Sequence, residues 1–327
     1  MKISILDQSP ISSNQTAEEA LNESMELAQM GERLGYERFW MTEHHDLPGL
    51  ACSAPEVVLS YIGAKTDAIR LGTGAVLLPH YKPYKIAEIH HQLATLFPDR
   101  IDLGIGRAPG GSAEVTNALN DNFLQNVYKM PELVGELLAY LKDQVPKVSA
   151  SPIPSASPTP WMLGTSEKSA VFAGEFGLSY VFGQFMSDED GQEIAQQYVD
   201  AFTPGKQAQT PQIIVTISAI CAETTAKAEE IALSPLIWQL QKEKGNEGHG
   251  IPSIQEAKNY PLTDKERERL ESMKQRMIIG DPQETWAQMQ EIQAKCQADE
   301  IMIMTSPYSP EDRVRSYEYI AGEVFKR

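Results

Sequence analysis

Cysteine, basic charge and long apolar runs are what this sequence has least of. Only Cys52, Cys221 and Cys296 occur in 327 residues, far apart and with no Cys-x-x-Cys pair. Neither a disulfide framework nor a structural zinc site is therefore indicated; reduced thiols in the cytoplasm are the expectation. Lys and Arg number 28 against 45 Asp and Glu, giving a net charge of -17. Such a field repels phosphate backbones and anionic bilayers, so neither nucleic acid nor a membrane is an expected partner. No window reaches the ~18 uninterrupted apolar residues that a membrane-spanning helix needs. The first seven residues read directly into a short strand, without the apolar stretch and small-residue cleavage site of an export signal. Walker, His-Glu-x-x-His and Gly-x-Ser-x-Gly motifs are also absent. Gly104-Ile-Gly-Arg-Ala-Pro109 imitates a dinucleotide fingerprint, but Pro109 stands where the third glycine belongs and no helix opens there, which excludes the Rossmann reading.

What is present is a core and a rhythm. With 42% apolar and 22% charged residues the chain is globular. A short apolar β-branched run (3–6) is followed by the capping box Thr16-x-x-Glu19, a helix closed by Gly35, and a second strand ending near Trp40. The cycle repeats: a helix over 53–65, a strand over 69–78, a helix over 84–96 and a strand over 101–106. Residues 107–122 have no clean period and read as a long loop before a helix over 127–141, and the proline-rich stretch 148–160 reads as an extended connector. Strands over 161–163, 178–182 and 212–222 then alternate with helices over 166–176, 192–202 and 225–240. Residues 241–262, with Gly245, Gly248, Gly250 and Pro252, form a lid loop after the seventh strand. Two helices, an eighth strand at 300–304 and a helix over 311–325 complete the chain. Short turns between alternating elements imply parallel strands with crossover helices, and eight cycles imply an α/β fold of the TIM (β/α)8 barrel class, with insertions, as one domain over 1–327. Met273, Met277, Met289, Met302 and Met304 read as core filler, and His90-His91 as a packed or solvated pair.

Barrel chemistry sits at the C-terminal ends of strands, so the residues following each apolar run are the candidates. Phe39-Trp-Met-Thr-Glu-His-His45 stops abruptly on a carboxylate and two imidazoles. Gly164-Thr-Ser-Glu-Lys-Ser169 leaves a strand and opens a helix, where free amides with the hydroxyls of Thr165, Ser166 and Ser169 would suit a phosphate; ordinary capping by serine is the competing reading. Arg107, at the end of another strand, supplies the forked cation a phosphate favours, and the pair of features tips the reading toward an anionic ligand.

Five ordered motifs carry a resemblance across nearly the whole chain: Trp40-Met-Thr-Glu-His-His45, Leu71-Gly-Thr-Gly-Ala-Val-Leu-Leu-Pro79, Asp99-Arg-Ile-Asp-Leu-Gly-Ile-Gly-Arg-Ala-Pro-Gly110, Trp161-Met-Leu-Gly-Thr-Ser166 and Ile278-Ile-Gly-Asp-Pro282. In these the sequence resembles the bacterial luciferase-like, flavin-dependent monooxygenases. The resemblance implies a TIM barrel binding FMN at its C-terminal face, with His44 as the catalytic histidine and Glu43 or Asp7 orienting it. It places Gly74-Ala75, on a cis peptide, beneath the flavin ring. Arg107, Gly164, Thr165, Ser166 and Ser169 are placed at its phosphate, and no metal is implied. The implied activity is oxygenation of a small organic substrate by reduced FMN and oxygen, the electrons coming from NAD(P)H or a partner flavin reductase, in a homodimer closed by the lid. Gly106 stands where luciferase has a reactive cysteine, and Pro109-Gly110 replaces a bulkier pair, which argues against light emission. Some relatives use F420 instead. The rival expectations are a flavin-binding carrier without turnover and a phosphate-sugar isomerase or aldolase on the same barrel.

Overall fold

The structure is a computed structural model and describes residues 1–245 and 250–326. The first half runs β1 (Lys2–Asp7), α1 (Ala17–Leu34), β2 (Arg38–Met41), α2 (Pro55–Gly63), β3 (Arg70–Leu77), α3 (Pro83–Leu96), β4 (Ile101–Gly106), α4 (Ala113–Leu119), α5 (Phe123–Tyr128) and α6 (Met130–Leu141). The second half runs β5 (Thr159–Gly164), α7 (Glu167–Phe176), β6 (Ser179–Gly183), α8 (Gly191–Ala201), β7 (Ile213–Cys221) and α9 (Thr225–Glu243). It ends with α10 (Ile254–Lys258), α11 (Asp264–Lys274), β8 (Met277–Gly280), α12 (Pro282–Cys296), β9 (Glu300–Met304) and α13 (Pro310–Val324).

Every strand pairing within the sheet is parallel, and β1 through β7 with β9 close on themselves because β6 pairs with β7 and β9 with both β7 and β1. The expected barrel is therefore present. Its strands read as unbroken apolar runs because helices cover the outside while the inside is filled. Within the barrel Leu6, Trp40, Trp161, Val181, Ile214 and Met302 pack together, with the Trp40 and Trp161 rings edge to face at 5.9 Å.

Three local expectations need correction. The unpatterned stretch after β4 contains α4, whose start is capped by Ser112 accepting from Val115 N–H; α4 spans seven residues, too short for a helical stripe to show. The predicted helix over 127–141 is divided into α5 and α6. The larger miss is β8: a charged helix is expected from Asp264 to about Met277 and no strand after it, whereas α11 stops at Lys274 and Met277–Gly280 is a strand. Met277-Ile-Ile is short and follows α11 after two residues, so periodicity could not separate it. It forms because β7 is nine residues long: its pairing with β6 and β9 ends at Ser218, leaving Ala219 to Cys221 past the barrel rim, and Ser218 to Cys221 pair with β8.

The predicted lid is also partly built differently. Residues 246–249, Gly248 among them, lie outside the described residues. Ile251 is buried and exchanges backbone hydrogen bonds with the loop after β1 (Ile251 N to Ile11 O, 2.8 Å; Ser13 N to Ile251 O, 2.9 Å). Residues 254–258 form α10, capped by Ser253 and Glu256. No described helix is long and apolar enough to cross a membrane.

Candidate active site

At the C-terminal rim two cavities share Gln8, His44, Phe185 and Met186 and so form one site with two lobes. The barrel lobe, about 490 Å³, lies among the ends of β1 to β7. The second, about 400 Å³, is walled on one side by α9, α11 and the start of β8. Both volumes fall in the ~300–1,000 Å³ range of small-molecule pockets.

The barrel lobe gathers all but one of the residues proposed from sequence: Glu43, His44, Gly74, Ala75, Arg107, Gly164, Thr165, Ser166 and Ser169 line it, and Asp7 does not. The Gly74–Ala75 peptide is cis. Arg107 is exposed at the mouth and enters no ion pair among the described residues. At the start of α7 the capping reading is visible directly. Ser169 Oγ donates to Ser166 O (2.6 Å), accepts from Ser166 N–H (3.2 Å) and meets the Tyr180 hydroxyl (2.9 Å). Its hydroxyl is thus committed to shaping the turn. Gly164 is required for that turn, since a Cβ there would lie 2.2 Å from Ser169 Cβ. The helix start nonetheless draws an anion, for the Glu189 carboxylate accepts from Glu167 N–H at 3.2 Å. Arg107, Thr165 and Ser166 remain beside it as groups able to hold a phosphate.

His44 and Glu43 separate in role. His44 Nδ1 pairs with the Thr42 hydroxyl at 2.9 Å, leaving Nε2 as the ring nitrogen available to a ligand. The expectation that Glu43 or Asp7 orients His44 does not hold. Glu43 accepts from Tyr81 OH (2.5 Å), from Leu77 N–H (3.0 Å) and pairs with His45 Nε2 (2.9 Å). Glu43 thereby ties down the end of β3, two residues beyond Ala75. Asp7 is buried against Arg313 and accepts from Ser9 N–H. His45, held by Glu43, packs edge to face with His80. His90 and His91 lie elsewhere, buried on α3 and bonded to the carbonyls of Ile86 and Ala150. Among the described residues no three His, Cys, Asp or Glu side chains are grouped to hold a metal ion.

Burial, then Lys242, then His45 depress the His44 pKa to about 4. Burial does the same to His90, which also falls to about 4. Both imidazoles are neutral at neutral pH. In the unfolded chain each titrates near 6.5, so as the pH falls from there toward 4 the unfolded state takes up protons that the folded state refuses. The contribution is fully present above that window and lost on descending through it, by a few kcal/mol for the pair. Urea unfolding between about pH 7.5 and 4.5 measures the loss, and His90→Leu is expected to flatten it. An unchanged slope in the variant would contradict this account of His90.

Sequence reasoning missed Thr42, Phe185, Met186 and the wall formed by Trp238, Lys242, Arg269 and Arg276. Thr42 was readable from its place two residues before His44; the wall was not, since only the packing of α9 against α11 and β8 brings its members together.

With this geometry in hand, comparison with known proteins adds three findings. The profile of the luciferase-like monooxygenase family matches residues 1–296. "Uncharacterized protein YwcH" of Bacillus subtilis (strain 168) is 39% identical over 98% of both chains, and the "N-acetyl-S-alkylcysteine monooxygenase" of the same strain is 32% identical over 99% of this chain and 98% of its own. The crystal structure of apo-MsnO8 superposes with a TM-score of 0.93 at 32% identity, covering 99% of this chain and 98% of that one.

Proposed function

Because the chain belongs to the luciferase-like monooxygenase family, we propose that it is a flavin-dependent monooxygenase using reduced FMN and O2 on a small organic substrate. The observation that carries this reading is the joined pair of lobes, one lined by small residues and reaching Arg107 and the start of α7, the other open to a second molecule across His44.

The residues present fit FMN. Gly74, Ala75, Gly106, Gly164 and Gly183 leave room for a flat ring, and Arg107 with Thr165, Ser166 and the start of α7 would hold the phosphate. Bound reduced FMN supplies the two electrons with which one atom of O2 enters the substrate and the other leaves as water. The chain's own contribution is binding, positioning and proton control. His44 faces both lobes, and Thr42 at Nδ1 sets whether Nε2 gives or takes a proton. Among proteins of this fold one is described in complex with FMN and another with an F420 adduct; FMN is the reading taken here and F420 its alternative.

The test is titration of the protein with FMN and, separately, with F420, followed by absorbance and fluorescence. FMN is expected to saturate, and Arg107→Ala to weaken it by about 10- to 100-fold, the worth of a charge-assisted hydrogen bond. Saturation by F420 alone would replace FMN with the deazaflavin. Binding of neither would return the isomerase or aldolase reading, and FMN binding without oxygen- and substrate-dependent turnover would leave a carrier.

A further inference from the structure

The second lobe differs in charge from the rest of the molecule. The chain carries 45 acidic against 28 basic side chains. Yet the lining of this lobe includes Lys242, Arg269 and Arg276 and, among the described residues, no Asp or Glu. The carboxylates nearest these guanidinium groups stand outside the lining. Glu243 accepts from Arg269 Nε (3.0 Å) and Nη2 (2.6 Å), and Asp188 pairs with Arg276. A guanidinium has five N–H donors, so Arg269 keeps those of Nη1 while Glu243 fixes its orientation. Lys242 lies 4.4 Å from the centre of the Trp238 ring, which helps to set the direction of its stem. The remaining surface is largely apolar, with Phe185, Pro235, Met273, Met277 and Met304, and it leads through Phe185 and Met186 to His44 and the barrel lobe.

We propose that this lobe selects a small organic carboxylate, its anionic end held by Lys242, Arg269 and Arg276 and its apolar part directed along the methionine-lined surface toward His44. The proposal rests on the monooxygenase reading and supplies its substrate class. Arg269 and Arg276, oriented by Glu243 and Asp188 from outside the lining, keep N–H donors beyond those pairs, which a neutral hydrocarbon would leave unused. A carboxylate is planar and accepts two parallel N–H bonds, the pattern a guanidinium offers. Because the side chains of Arg269 and Arg276 are 41% and 35% exposed, the attraction is screened in part and sensitive to salt. It sets preference more than absolute affinity.

The site is distributed over three elements: Lys242 on α9, Arg269 on α11, and Arg276 just before β8. All three belong to the insertion between β7 and α12. The barrel thus supplies the cofactor end of the site and the insertion the substrate end, which lets specificity be set without disturbing the strand ends.

Calorimetric titration of the FMN-loaded, oxidised protein with matched pairs of acid and primary amide tests this directly. N-acetyl-S-methylcysteine and its amide form one pair, and short straight-chain fatty acids and their amides form the others. The acid of at least one pair is expected to bind ~10-fold or more tightly than its amide, the difference shrinking as ionic strength rises from ~0.02 to ~0.5 M. Lys242→Gln and Arg276→Gln, on separate elements, should each reduce the preference, while Arg276→Lys should keep part of it. FMN absorbance confirms in every case that the cofactor site is intact. Equal binding of acid and amide in every pair, no binding of any acid, or full preference in both Gln variants overturns the proposal. If FMN does not bind at all, the monooxygenase reading fails on its own, and the acid-over-amide preference is still measurable in the cofactor-free protein.

Discussion

Replacing Arg38 by methionine is expected to lower the unfolding free energy by about 3–5 kcal/mol, a large share of the 5–15 kcal/mol typical of a whole domain. Arg38 lies at the start of β2, at the end of the barrel opposite the active site. Its Nη1 donates to Asp102 Oδ2 at 2.7 Å, and its Nε and Nη2 donate to the two oxygens of Glu300 at 2.8 and 2.9 Å. Asp102 also accepts from Trp40 Nε1 at 3.1 Å and pairs with Arg70 at 2.5 Å, while the Ser4 hydroxyl donates to Glu300. The side chains of Arg38, Asp102 and Glu300 are 7%, 0% and 3% exposed, so a carboxylate that loses its cation is left in a poorly hydrated place. Burial works to lower the Arg38 pKa but is outweighed by Asp102 and Glu300, which raise it. Methionine fills much of the volume and removes the charge, leaving Glu300 without a cation and with only the Ser4 hydroxyl, and Asp102 with Arg70 and Trp40 Nε1. The loss comes from those carboxylates left short of partners and not from a favourable net energy of the pair. Adding Glu300→Gln to Arg38→Met should therefore recover part of it. Denaturant unfolding measures all three proteins. A loss under about 1 kcal/mol, or no recovery in the double variant, would sink the account.

His44→Ala should reduce substrate-dependent oxygenation by ~10²–10⁴-fold, the usual worth of a positioned acid or base, with FMN binding retained. The geometry assigns this effect to the step itself, because His44 touches both lobes while Arg107 and the start of α7 carry the anion grip. The fall should appear in kcat more than in KM. Since the imidazole titrates near 4, the acid limb of the kcat profile should lie well below the ordinary histidine range. Thr42→Val, which removes the partner of Nδ1, should move that limb and lower kcat by less than His44→Ala does. Single-turnover product formation with pre-reduced FMN separates this step from flavin reduction. Unchanged turnover in His44→Ala would remove His44 from the mechanism.

The barrel was legible because its signals are local. Strands buried on both faces write unbroken apolar runs, and α1 announces itself by Thr16, Glu19 and Gly35, all three of which act as caps in the structure. Site positions were legible for a related reason: parallel strands end on one face, so residues following apolar runs converge there whatever the details of packing. What escaped were short elements such as α4 and β8, whose few residues cannot establish a period, and β8 exists only because β7 overruns the barrel rim.

Partnerships escaped for a different reason. Glu43 stands next to His44 in sequence and was read as its orienter, but successive residues leaving a strand point in opposite directions. Glu43 accordingly turns to His45, Leu77 and Tyr81, and Thr42, two residues before His44, takes its Nδ1. The sequence by itself determined the eight-stranded parallel barrel, the rim that carries His44 and Arg107, and the family. The tertiary structure decided which side chain holds which, that His44 is neutral through burial beside Lys242, and that Lys242, Arg269 and Arg276 share one wall. Periodicity and caps are properties of neighbouring residues, whereas charge, pKa and ligand selection depend on side chains that only the closed chain brings within reach.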